Sequence, residues 1–141
     1  MTKLENTINN YFKKRKEVVA VYLFGSHAKQ QERRLSDVDL GIVMQHSALH
    51  RSLEFQSQYI VDLGRLLRKD IHAVILNTAG ELLLKQVFRS GHLICNNNED
   101  QLKRFNMHKF SMIAEFGYYL EITRAGFVQS LRNSRGDRQN G

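Results

Sequence analysis

The sequence predicts an α/β (α+β) domain: a mixed sheet of roughly four strands packed with helices, followed by a helical C-terminal extension. Two observations carry that reading. VVAVYLF at 18–24 and VDLGIVM at 38–44 are short, nearly unbroken apolar runs rich in β-branched residues, as expected of strands covered on both faces. Around them, apolar residues recur at helical spacing, so helices and strands alternate along the chain. A length of 141 residues, 42% of them hydrophobic, suits one domain with a substantial core.

Each element has its own local signal. Thr2-Lys3-Leu4-Glu5 is a capping box, and Leu4, Ile8, Tyr11 and Phe12 line one face of a helix ending near Lys16. The first strand follows at 18–24. Gly25 breaks it, and a short helix is expected as far as Arg33. After the second strand at 38–44, Leu49, Leu53, Ile60, Leu63 and Leu67 mark an amphipathic helix over roughly 49–68. DIHAVIL at 70–76 is a third strand. Thr78-Ala79-Gly80-Glu81 reads as a second capping box, opening a helix that Gly91 ends. HLIC at 92–95 makes a short fourth strand, and Asn98 caps a last helical region running to about Arg132. The organisation expected is therefore a core over 1–97, an extension over 98–132 and a disordered tail over 133–141.

Composition narrows the setting. The net charge is 21 − 14 = +7, but the basic residues are scattered and no nucleic-acid-binding motif accompanies them. Direct nucleic-acid binding is not expected; most of these residues read as solvated helix faces, with attraction of an anionic partner, a nucleotide or an acidic protein, as the alternative. The lone Cys95 cannot form an internal disulfide, and no segment has the apolar length of a membrane span. These features place the chain in the cytoplasm. The last helical region carries Phe105, Phe110, Phe116, Tyr118, Tyr119 and Phe127, too many aromatics for one stripe, so its second face is either core or a partner surface.

The chemistry concentrates in FGSHAKQQERRLSDVDLGIV, residues 24–43. Alternation along a strand turns Asp37 and Asp39 to one face, while Val38, Leu40, Ile42 and Met44 face the core. Gly41 continues the aspartate face without a side chain, which leaves room for a ligand. Two carboxylates so placed suit Mg²⁺, which binds a few carboxylates together with substrate phosphates. Asp70, at the start of the third strand, can join them if the two strands are neighbours. Three carboxylates around a pair of ions are the layout of in-line phosphoryl displacement, with Asp70 taking a proton from the attacking hydroxyl. Gly25-Ser26, ahead of a helix N-terminus, supplies the phosphate side. Lys29, Arg33 and Arg34 are within reach of the same anion.

Gly25-Ser26, ten residues, then Asp37-Val38-Asp39 resembles the signature of the polymerase-beta-type nucleotidyltransferase superfamily. With SDVDLGIVM and KDIHAVIL, the short chain is most similar to the minimal nucleotidyltransferase (MNT) branch, which includes MntA-like antitoxins of HEPN/MNT toxin–antitoxin pairs. The resemblance covers roughly 15–95. It implies ATP as substrate and Mg²⁺ as cofactor. Gly25, Ser26, Lys29 and Arg34 become nucleotide-binding residues, and Asp37, Asp39 and Asp70 metal ligands and catalytic residues. It further implies an antitoxin that transfers AMP to a tyrosine of a HEPN ribonuclease, in a hetero-complex or alongside self-association. Members often carry a glycine where this chain has Gln30, so the loop to Asp37 departs from the pattern.

Two other readings compete. One is a non-catalytic nucleotide-binding module that neutralises its partner by occlusion; the other is an antibiotic-type nucleotidyltransferase acting on a small hydroxyl compound. His72 shares the strand face of Asp70 and can touch nucleotide or substrate, although a histidine there is more ordinarily half-buried structure. His27 follows Ser26 and can approach phosphate. The remaining histidines have no mutual spacing suited to zinc.

Overall fold

The computed structural model describes residues 1–25, 37–115, 117 and 121. Helix α1 (Lys3–Lys13) begins at the expected box: Glu5 N–H donates to Thr2 Oγ1 at 3.1 Å, and Thr2 N–H reaches Glu5 Oε2 at 3.4 Å. Satisfying two otherwise unpaired donors in this way contributes about 1 kcal/mol. Strands β1 (Val18–Phe24) and β2 (Val38–Met44) have the bounds their apolar runs predict. A 3-10 turn at His46–Arg51 then precedes α2 (Ser52–Leu67), so the long helix starts later than the apolar periodicity suggested.

Strand β3 (Ile71–Ile75), α3 (Glu81–Ser90) and β4 (His92–Asn96) complete the sequence of elements. The second capping box does not form. Thr78 lies in a 3-10 turn, and the N-cap of α3 is Gly80, with no side-chain cap bond. Residues 99–106 are helical, and the Asn98 cap is present, with Gln101 N–H donating to Asn98 Oδ1 at 3.0 Å. The expected short helix between Gly25 and Arg33 and the tail over 133–141 lie outside the described residues.

The sheet has the order β3-β2-β1-β4. β1 is antiparallel to both β2 and β4, whereas β2 and β3 run parallel, so the sheet is mixed as expected. The parallel pair requires a crossover, and α2 provides it. The core joins Ile8 and Phe12 of α1 and Tyr59 and Leu63 of α2 to Val38, Leu40, Ile42 and Met44 of β2. Truncating a buried phenylalanine such as Phe12 typically costs 3–5 kcal/mol, about a third or more of a domain's whole stability. The opposite sheet face is covered by α3, where Tyr22 meets Phe88 edge to face at 6.3 Å. Cys95 is buried, as its apolar run implied, and burial raises its thiol pKa.

Two polar clusters tie elements together. Tyr59 Oη donates to Glu17 Oε1 at 2.8 Å and Tyr11 Oη to Asp62 Oδ2 at 2.6 Å, with the Arg15 guanidinium 4.3 Å from the centre of the Tyr11 ring. Asn97 Nδ2 faces the carbonyls of Phe12, Arg15 and Val18 at 3.0, 3.3 and 3.1 Å, clamping the α1–β1 connection to the end of β4. The chain divides into two compact units, Met1–Asn106 and Met107–Gly141. In the second unit residues 107–115 are helical. Phe116, Tyr118, Tyr119 and Phe127 of the aromatic extension lie outside the described residues.

Candidate active site

The site is built where β1 ends beside β2. Antiparallel pairing sets Phe24 opposite Asp39, so the chain turns at Gly25 next to that carboxylate. Gly25 has φ +75°, in the left-handed region that glycine enters without a Cβ penalty. A Cβ on Gly25 would also fall against Oδ2 of Asp39, so a larger residue there would have to turn that carboxylate aside.

Asp37 and Asp39 share a face, as strand alternation requires, and their side chains are 42% and 28% exposed. Both are therefore open to a ligand from solvent. The group between them is His72. Its Nε2 lies 3.4 Å from Asp37 Oδ2 and its Nδ1 lies 3.3 Å from Asp39 Oδ1. This follows from the parallel register, which sets Asp39 opposite His72 and Val38 opposite Ile71. The ring is 59% exposed rather than half-buried in the core.

Asp70 stands one residue before the first pair of β3. It is exposed, and its carbonyl accepts from Val38 N–H at 2.9 Å. Among the described residues no group of three or more His, Cys, Asp or Glu side chains is placed to hold a metal ion. The donor set still suits a hard divalent cation held by the Asp37 and Asp39 carboxylates, with phosphate and water oxygens completing its shell.

Gly41 does not leave the room expected of it. A Cβ there would lie 2.9–3.1 Å from the Leu76 side chain, so buried Leu76 fills the space a ligand was expected to take. Ligand access is confined to the outer part of the aspartate face. Ser26, His27, Lys29, Arg33 and Arg34 lie outside the described residues. His72 is the residue whose place the sequence understated; the signal for it is the strand register, which pairs it with Asp39.

A mixed sheet bearing two partly exposed carboxylates beside a glycine turn suits a metal-bound phosphate ester. The family model described as polymerase beta, nucleotidyltransferase matches residues 6–100, and the chain belongs to that family. No curated relative matches the sequence.

Solved structures share the fold. A toxin–antitoxin complex with AMP-PNP matches with a TM-score of 0.64 and 21% identity, covering 90% of this chain and 97% of that one. The tri-AMPylated Shewanella oneidensis HEPN toxin in complex with MNT antitoxin matches at 0.59 and 20%, covering 91% and 95%. An MntA–HepT toxin–antitoxin complex matches at 0.58 and 20%, covering 91% and 96%. Among the described residues, no helix is long and apolar enough to cross a membrane.

Proposed function

We propose that the chain transfers AMP from ATP to a hydroxyl of a partner protein, a tyrosine of a cognate HEPN ribonuclease toxin, and so acts as its antitoxin. The observation that carries this reading is the convergence of Asp37 and Asp39 beside the Gly25 turn in a nucleotidyltransferase-family fold. The acceptor oxygen bonds to the α-phosphorus as the bond from that phosphorus to the α,β-bridging oxygen breaks. Pyrophosphate leaves, and the hydroxyl proton passes to water, to which the exposed carboxylates give access. Asp37 and Asp39 would hold the Mg²⁺, which when bound neutralises phosphate charge. Gly25 gives the nucleotide close access to backbone, with Ser26, Lys29 and Arg34 as its remaining anion contacts. The AMP-PNP bound in one similar structure and the AMPylated toxin in another support nucleotide and acceptor class.

The test is label transfer from α-labelled ATP with Mg²⁺ and the product of the neighbouring gene. Transfer to that protein, abolished by Asp39→Ala, is the expected result. Absence of transfer with the wild type removes the enzymatic reading. A second reading, neutralisation by occlusion alone, is favoured by one observation: an imidazole, not an acid, faces Asp39. It predicts that the Asp37→Asn, Asp39→Asn double variant still silences the toxin at equal concentration.

A further inference from the structure

The place opposite Asp39 in the sheet is taken by His72. Two divalent ions a few ångströms apart need several anionic donors, at least one shared between them. Here the aspartate pair is faced by His72, whose ring nitrogens lie 3.3 and 3.4 Å from the two carboxylates. Imidazole adds no anionic charge and suits borderline metals better than oxygen-seeking Mg²⁺. Asp70 precedes the first paired residue of β3 and completes no such group among the described residues.

Resting on the nucleotidyl-transfer reading, we propose that the site takes one divalent cation rather than two, held by Asp37 and Asp39 with nucleotide oxygens, and that His72 is the residue that keeps a second ion out. The ring is 59% exposed and lies outside the buried hydrophobic cluster, so a substitution at 72 acts on the charge of the site rather than on core packing.

The experiment counts Mn²⁺ bound per full-length chain by equilibrium dialysis and EPR, at saturating α,β-methylene-ATP. The expected result is one protein-dependent ion in the wild type and two in His72→Asp, with thermal unfolding showing both to be folded. Two ions in the wild type overturn the proposal; if that count falls to one in Asp70→Asn, the third ligand is Asp70. A folded His72→Asp chain that still binds one ion also overturns it. No bound ion in the wild type overturns both this inference and the metal-dependent transfer reading. Label transfer is measured separately: transfer by a wild type that binds two ions overturns the count alone, and one bound ion without transfer overturns the transfer reading alone.

Discussion

Oδ2 of Asp39 stands against Gly25 where any other residue would place its Cβ. The turn and the carboxylate are therefore one unit. Gly25→Ala combines a left-handed φ, costing roughly 1–2 kcal/mol, with displacement of the acid. The expected outcome is binding of Mg²⁺–ATP analogue weakened about tenfold or more, which corresponds to about 1.4 kcal/mol. Calorimetric titration checks it; unchanged affinity would show that Asp39 does not need its present position.

A second glycine is held by packing. Gly41→Ala would press its new methyl into Leu76 and is expected to cost about 1–3 kcal/mol as overpacking. Trimming the neighbour should recover part of it. In urea unfolding, Gly41→Ala with Leu76→Ala should be less destabilised than the sum of the single changes. Strict additivity would mean that the two side chains do not compete for the same space.

Alkaline pH should act through the tyrosines of the α1–α2 contact. Burial, followed by the hydrogen bond to Glu17, raises the Tyr59 pKa well above 10, and burial with the bond to Asp62 does the same for Tyr11. A folded pKa above the unfolded one means that the native state holds its proton while the unfolded chain releases it. Stability from these groups is thus complete below about pH 10 and falls above it, by about 1.4 kcal/mol per pH unit for each tyrosine. Denaturant midpoints between pH 9 and 11 should show the loss, and Tyr59→Phe should flatten the slope.

Asn97 is expected to matter for stability and not for chemistry. Asn97→Ala removes the amide that faces three backbone carbonyls, for about 1–3 kcal/mol. Because these contacts gather at the Val18 end of β1, away from Phe24 and Asp39, nucleotide affinity should stay within about twofold, well under 1 kcal/mol. A parallel loss of both would place the clamp and the site in one cooperative unit.

What the sequence disclosed was local. The apolar runs at 18–24 and 38–44 give two strands without adjustment, because burial on both faces leaves a continuous hydrophobic signature. Thr2 and Glu5 announce α1 for a similarly local reason. Thr78 misled because its spacing to Glu81 imitates a cap while Leu76–Thr78 forms a 3-10 turn. The pairing of Asp39 with His72, and the filling of the Gly41 space by Leu76, arise from parts of the chain that meet only on folding. Asp70 and His72 both sit on the aspartate-facing side of the third run, and only the register shows which of them stands opposite Asp39.

The exposed ring of His72 lies outside the buried hydrophobic cluster. A change at 72 is therefore felt first by the two carboxylates that the ring faces, not by the layers beneath them.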